Sequence, residues 1–257
     1  SYEAALRVRP AYPAAMLNKG VTLQKLGRFD AALAAFGAAC ALRPGYVQAQ
    51  CNLGNLLRGA QQETVTDEQL AEWGQLYAKE EVRGATPRYW EDVNVGDELP
   101  RMMKGPMTVT GFIAYAQGWG GLYIRANKMA WRLIDAHPGV GIKNRFGIPD
   151  VPERVHWEED FALEVGAPGA YDYGPERTSW LTHHMTNWMG DAGFLRKAGC
   201  KIRRHNPEGD MLFIKGSVKR KFKEDGKFLV EIEQEARNQD DELSVLGTGI
   251  VELPSRG

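Results

Sequence analysis

The 257-residue chain carries 32 Lys and Arg against 33 Asp and Glu, a formal net charge of -1, with 43% apolar residues. So even a balance gives no global attraction to nucleic acid or to an anionic membrane, and neither is expected as a partner; any charged ligand must be read by a local patch. No apolar run approaches the roughly 20 residues that span a bilayer, and Cys40, Cys51 and Cys200 form neither a disulfide framework nor a CxxC metal pair, which points to a reducing, cytoplasmic setting without a metal.

The opening SYEAALRVRP has no starting Met and no apolar signal core, so it reads as a fragment or a processed form. The first sixty residues then repeat themselves. RPAYPAA at 9–15 recurs as RPGYVQA at 43–49, and Asn18 and Gly20 recur as Asn52 and Gly54, all with a period of 34. Between them Gly20, Leu23, Gly27, Phe29, Ala32, Phe36, Ala39 and Pro44 alternate small and large residues at helical spacing. The pattern resembles the tetratricopeptide repeat, in which small residues let two antiparallel helices approach and a Pro ends the second. Residues 1–62 are assigned to this all-α segment, expected to bind a protein partner. A solenoid core generally takes about three repeats, so the segment must lean on something else or be truncated; the plainer alternative is a helical hairpin with no partner of its own.

Residues 63–88 read as a linker helix. Thr66 or Asp67 caps a segment through Glu80 whose Leu70, Trp73, Leu76 and Tyr77 form one apolar stripe, with Glu68 and Glu72 near the positive end of its dipole. WEDVNVGDELP carries turn signals and a strand opening. TVTGFIAYAQGWG follows as a helix capped by Thr108 or Thr110, and LYIRANKMAWRLIDAH as another that stops at Pro138-Gly139. Residues 175–189 place Trp180, Leu181, His184, Met185 and Trp188 along an apolar, buried helix.

The last third has strand grammar. KAGCKIRRH, DMLFIKGSVKRKFK, KFLVEIEQEARN and SVLGTGIVEL are separated by NPEGD, EDG and NQDDE, which are hairpin turn signals. Val230 and Ile232 alternate with Glu231, Glu233 and Glu235, giving one buried face and one wet face. The order demands an α+β domain, a meander of long antiparallel strands curled around one long helix.

From about Tyr89 to Leu253 the chain resembles the MaoC-like acyl dehydratases and (R)-specific enoyl-CoA hydratases. The likeness rests on WEDVNVGDELP as lead-in strand, GPMTVTGFIAYA as first helix, PERVHWEEDFALEVGAPGAYDYG as the hydratase loop, and the late strands LVEIEQEARNQ and GTGIVELPSR. It implies a hot dog fold over residues 89–257. It also implies that an Asp and a His of the loop grip a water while the backbone N–H of a Gly at the helix start holds the thioester oxygen. Carried over, these are Asp150, His156 and Gly174. The implied chemistry is reversible syn addition of water across a trans-2-enoyl thioester, with coenzyme A or an acyl carrier as the substrate's handle and no other cofactor. It needs a base that works near neutrality and a donor for the charge that builds on the thioester oxygen. Two departures stand out. Asp and His are six apart, where the family spaces them five apart with Asn-Pro just before the His, and some thirty residues, roughly Gly118 to Gly147, are inserted ahead of the loop.

Each residue also has a plainer reading. His156 could be a satisfied structural group, Asp150 a turn former between Pro149 and Pro152, and Gly174-Pro175 any helix start. Tyr171 and Tyr173 are candidates to orient substrate, although buried tyrosines usually pack. Lys219 and Lys221, with Arg203 and the basic residues around them, read either as a solvated sheet face or as a cradle for coenzyme A phosphates on neighbouring strands. Besides a hydro-lyase, the chain is compatible with a hot dog thioesterase and with a non-catalytic scaffold carrying protein-binding repeats. Unpaired strand edges point to a homodimer.

Overall fold

The computed structural model describes residues 12–61 and 64–257. It is an α+β protein. In chain order come α1 (Pro13–Lys25), α2 (Phe29–Leu42), α3 (Val47–Gln61), α4 (Asp67–Tyr77), β1 (Glu98–Lys104), α5 (Val109–Trp119), α6 (Asn127–Ala136), the short strands β2 (Ile142–Lys143) and β3 (Pro149–Asp150), α7 (Glu159–Glu164), α8 (Gly174–Met189), and β4 (Phe194–Ile202), β5 (Leu212–Glu224), β6 (Lys227–Asn238) and β7 (Leu243–Glu252). Two compact units form. One joins the described residues up to Glu63 with Phe112–Tyr171, and the other joins Thr64–Gly111 with Asp172–Gly257. One unit boundary thus falls at 63/64, a residue from the expected division at 62/63, and none at 88/89: residues 112–171 fold with the N-terminal helices, and the expected linker helix folds with the sheet.

In the first unit, α1 to α3 bury Leu17, Leu23, Ala32, Phe36, Ala39, Ala49 and Leu56. Gly20 is the point of close approach, because a Cβ there would stand 2.4 Å from Phe36 Cε1. Gly27, at φ 68°, ends α1 in the left-handed region, and Arg28 N–H returns to Leu23 O at 2.9 Å. The first copy of the RPxY motif reaches back to residues outside the described range. Gly54, the period-34 counterpart of Gly20, faces open space, so the two copies are not packed alike. The helices lean on the end of α7 and the turn after it: Gln24 Nε2 donates to Leu163 O at 3.3 Å, Lys25 pairs with Glu164 at 2.7 Å, and Asn55 Nδ2 donates to Gly166 O.

The second unit is a five-stranded antiparallel sheet in the order β1-β5-β6-β7-β4. All four late strands form, but they are not a simple meander. β5, β6 and β7 follow one another, while β4 pairs with β7 and forms one edge. The expected lead-in strand opens as a 3-10 turn over Trp90–Asp92 and becomes strand only at Glu98. The capping box at Thr66 and Gln69 starts α4, yet of its apolar stripe only Trp73 is buried, against Met103 and Met211. α6 begins at Asn127 rather than at Leu122.

α8 lies on the sheet. Met185, Trp188 and Met189 pack with Val218, Val230, Ile232 and Val251, each full burial contributing roughly 1.5–3 kcal/mol. Three glycines clear its path. A Cβ on Gly249 would stand 2.2 Å from Met185 Sδ, one on Gly247 2.9 Å from Leu181 Cδ1, and one on Gly216 3.2 Å from His184 Cε1. His184 is a tie, not a ligand: its Nε2–H donates to Pro100 O at 2.7 Å, and Gln234 Nε2 donates both to His184 Nδ1 at 2.8 Å and to Leu181 O at 3.0 Å. Gly247→Val should therefore lower stability by about 2 kcal/mol through overpacking, whereas Thr248→Val, at an exposed position on the other face, should stay within about 0.5 kcal/mol of the parent. Urea unfolding of both variants measures the difference, and equal effects would show that α8 is not seated on those glycines.

Candidate active site

The loop that carries Asp150 and His156 lies in the first unit. Asp150 ends β3, opposite Ile142 of β2, and is half-buried. Its Oδ1 accepts the Val151 N–H at 2.7 Å, and its Oδ2 is 3.9 Å from Arg154 Nε. The turn-forming role open to an Asp between two prolines is thus filled, with one carboxylate oxygen turned to a guanidinium. A 3-10 helix over Pro152–His156 follows. His156 is half-buried, with Nδ1 2.7 Å from the Tyr171 carbonyl and its ring edge-on to the Tyr171 ring at 4.7 Å. A carbonyl oxygen only accepts, so Nδ1 carries the proton and Nε2 is the basic nitrogen of the neutral ring.

Two residues not singled out in the sequence organise this loop. Arg154, 2% exposed, bonds Glu158 Oε2 at 2.5 Å and Ile142 O at 3.4 Å and lies over the Phe161 ring at 4.2 Å; its Nε has no hydrogen-bond partner among the described residues. Glu153 is also buried and accepts the N–H groups of Leu122 and Tyr123 at 2.9 and 3.0 Å, fastening the inserted segment to the loop. The amphipathic i, i+4 spacing of Arg154 and Glu158 was the available signal. A cavity of about 650 Å³ opens beside Arg154, lined also by Ile142, Phe146, Glu158 and Phe161; its lining includes neither Asp150 nor His156.

The helix start lies in the second unit. Gly174 is the first residue of α8, so the helix ladder has no acceptor for its N–H, and Pro175 behind it has none to offer. A Cβ on Gly174 would stand 3.1 Å from Ile202 Cδ1. Around this tip is a buried ionic network that composition and spacing did not reveal. Asp172, fully buried, accepts from Arg177 Nε and Nη2 at 2.6 Å each and from Asn206 Nδ2 at 3.0 Å. Ser244 Oγ donates to Asn206 Oδ1 at 2.6 Å, and Arg177 Nη1 donates to Arg204 O. Burial pushes the Asp172 carboxyl up, while Arg177 and Asn206 pull it back. Glu176 is buried as well; burial first, and the charge of Asp172 second, push its carboxyl up to about 7. Tyr173 is buried beside it.

The basic residues are largely engaged. Lys219 pairs with Glu233, Arg220 with Glu231 at 2.9 Å and Arg204 with Glu242, and Lys221 donates to Val93 O while standing over the Trp90 ring at 4.1 Å. Arg203, just past β4, and Lys219 and Lys221 on β5 are not on neighbouring strands, because β6 and β7 lie between. Lys219, Arg220 and Arg204 are thus ion-paired, whereas Lys221 is partly buried against Trp90. Among the described residues no group of three or more His, Cys, Asp or Glu is placed to hold a metal, and no described helix is long and apolar enough to cross a membrane.

No protein-family model matches the chain, and no curated protein sequence matches it. Among solved structures it is similar to the (R)-hydratase from A. caviae involved in PHA biosynthesis, at 16% identity over 64% of this chain and 99% of that one, with a TM-score of 0.45. It is similar to R-hydratase PhaJ1 from Pseudomonas aeruginosa at 14% identity over 65% and 86%, TM-score 0.47, and to the MaoC-like dehydratase from Rhodospirillum rubrum at 14% over 66% and 99%, TM-score 0.42.

The helix tip generates a pH dependence. With its carboxyl pushed up to about 7, folded Glu176 holds its proton more tightly than the unfolded chain does. Its contribution therefore favours the fold below the ordinary carboxylate range and is lost as pH rises through about 7. Glu176→Gln, which removes the titration, should stabilise the chain by about 2 kcal/mol relative to the parent at pH 8 and much less at pH 4.5. Urea unfolding at the two pH values reads this directly, and a pH-independent effect would mean that Glu176 titrates as an ordinary glutamate.

Proposed function

We propose that the chain reversibly hydrates an enoyl-type acyl thioester, with coenzyme A or an acyl carrier as the handle. The observation that carries the reading is His156. Its Nδ1–H is fixed on the Tyr171 carbonyl at 2.7 Å, so Nε2 is the nitrogen able to take a proton from water and return it. In the hydration direction the water oxygen bonds to Cβ as His156 Nε2 takes its proton and the Cα=Cβ pair moves toward the thioester oxygen; the carbonyl then re-forms as that pair returns to Cα, which takes the proton back from His156 Nε2. Gly174 N–H is assigned to that oxygen. Asp150 is assigned to hold the water with the imidazole, a role it shares with the Val151 N–H and Arg154 contacts of its carboxylate. Tyr171 enters through its carbonyl, as the group that sets the imidazole's tautomer.

A second reading, hydrolysis of the thioester, is favoured by Glu176, a buried carboxyl in the first turn of α8 that exchanges its proton near neutrality. We further read α1 to α3 as a tetratricopeptide-like segment for a protein partner, and the assembly as a homodimer through the open strand edges.

With a trans-2-enoyl-CoA, the parent should consume the enoyl absorbance without freeing thiol. His156→Ala should lower kcat/KM by about 10³ and Asp150→Asn by about 10². Thiol release matching the loss of substrate would give the thioesterase reading, and unchanged turnover in His156→Ala would remove the imidazole from the chemistry.

A further inference from the structure

The inserted segment between α5 and the loop departs from the rest of the chain in charge. Residues 118–148 hold Arg125, Lys128, Arg132, Lys143 and Arg145 against Asp135 alone, a net charge of +4 within a chain of -1. Among the described residues none of these five cations pairs with a carboxylate. Arg125 Nη1 donates to the Ile124 carbonyl at 2.7 Å, and the Arg145 guanidinium lies over the Phe146 ring at 4.9 Å. Lys143 and Arg145 line one cavity with Glu158, Glu159, Asp160 and Glu164 without pairing with them, whereas on β5 Lys219 pairs with Glu233 and Arg220 with Glu231.

The same residues carry exposed apolar side chains of the largest kind. Trp131 on α6 is 72% exposed and Phe146 is 71% exposed, joined by Leu122, Met129 and Ile148. Phe146 is presented deliberately. It sits at the tip of the β2–β3 hairpin, where Asn144 Oδ1 accepts the N–H groups of Phe146 at 3.0 Å and Ile148 at 3.2 Å and Gly147 turns at φ 75°. Helix and hairpin are packed together, for a Cβ on Gly141 would meet Ile134 Cγ2 at 2.8 Å and Pro149 Cβ at 3.2 Å. α6 itself is amphipathic. Its arc of Met129, Leu133, Ala130, Ile134 and Trp131 has a half-buried centre and exposed flanks, with Lys128, Arg132 and Asp135 opposite.

We propose that α6 and the β2–β3 hairpin dock this protein peripherally on an anionic lipid surface. Two observations choose the occupant. A second copy meeting the same patch about a two-fold axis would set +4 against +4. Protruding single aromatics, in turn, require a shaped pocket in a protein partner, whereas the headgroup and acyl boundary of a bilayer accepts them without one. Cations flanking Trp and Phe suit that boundary, each contributing through the negative surface potential within about a Debye length. Docking of this kind adds a location to the chain and does not depend on the acyl-thioester chemistry.

The test is flotation of the full chain with vesicles of phosphatidylcholine alone and with 30% phosphatidylserine, at ~0.1 M and ~0.5 M NaCl. Binding is expected only to the anionic vesicles at low salt. Trp131→Ser with Phe146→Ser should weaken partitioning about tenfold or more, and Lys128→Glu with Arg132→Glu, Lys143→Glu and Arg145→Glu about a hundredfold. Quenching of tryptophan fluorescence by brominated phosphatidylserine, diminished in Trp131→Phe, would place the helix at the acyl boundary even if the multiple variants fold poorly. Absence of binding to anionic vesicles overturns the proposal. So does light scattering in which Trp131→Ser converts a dimer to a monomer while vesicles leave the parent in solution, because the patch would then be a contact between copies.

Discussion

A helix can lie close to a sheet only where the sheet gives up side chains, and that exchange governs the second unit. Gly216, Gly247 and Gly249 empty the inner face along the line where Leu181, His184 and Met185 must sit. The apolar residues of β5, β6 and β7 then close around α8, and Gln234, a polar side chain of β6 that faces it, spends both N–H donors on the helix. Fixing α8 in this way also fixes its first turn. Asp172 precedes the helix and Arg177 lies in its second turn, so their bidentate pair, anchored on Asn206 and Ser244, clamps the backbone on both sides of Gly174. Breaking such a pair would leave a charge stranded in the interior, at a cost of about 3–5 kcal/mol. Its physical yield is a helix tip with little freedom, and a preformed N–H is what an oxyanion donor requires.

The first unit reaches rigidity by another route. Its loop buries Val151, Phe161, Ala162, Ala167 and Ala170 and is also held by side chains that satisfy backbone groups. Glu153 takes two N–H groups of the inserted segment, Asp150 takes Val151 N–H, and His156 gives Nδ1–H to Tyr171. Arg154 stands among them, buried, with its guanidinium shared between Glu158, Ile142 O and the face of Phe161. An imidazole held at one nitrogen keeps its other nitrogen in a defined tautomer, which is the property a proton carrier needs.

What could be read from the sequence follows from what each residue's neighbours are in the chain. The strands of the last third were legible because alternation of Val230 and Ile232 with Glu231 and Glu233 is a local signal, and α8 because its apolar residues recur at helical spacing. The order of strands was not, since nothing local tells β4 to leave β5 and pair with β7. The stripe of α4 misled for a related reason: Leu70, Leu76 and Tyr77 have the right spacing, but only Trp73 meets a neighbour. Asp150 and His156 stood out only as candidates, through their spacing in a proline-punctuated loop; of the contacts of Arg154 only the i, i+4 pair with Glu158 was local, whereas Ile142 and the Glu153 partners Leu122 and Tyr123 lie 12 to 31 residues away. Asp172, Arg177, Asn206 and Ser244 are likewise scattered along the chain and meet only in the fold.

Net charge misleads in the same manner as local spacing. A chain at -1 presents no field at a distance, yet a partner at the surface responds to charge within about a Debye length. The acids and bases here are not mixed evenly. On the sheet, Glu233 and Glu231 of β6 pair with Lys219 and Arg220 of β5, whereas between Gly118 and Ile148 five cations stand with Asp135 as the one acid of the segment. Such a segment would be expected to hide its large apolar residues if solubility were the only demand, since exposed Trp and Phe beside cations that form no ion pair serve neither packing nor ion pairing. The Asx-type turn at Asn144 that holds Phe146 outward spends hydrogen bonds on keeping it exposed. Charge and aromatic exposure confined to one segment, with local structure maintaining both, is the combination a cation-lined, apolar contact with an anionic surface requires.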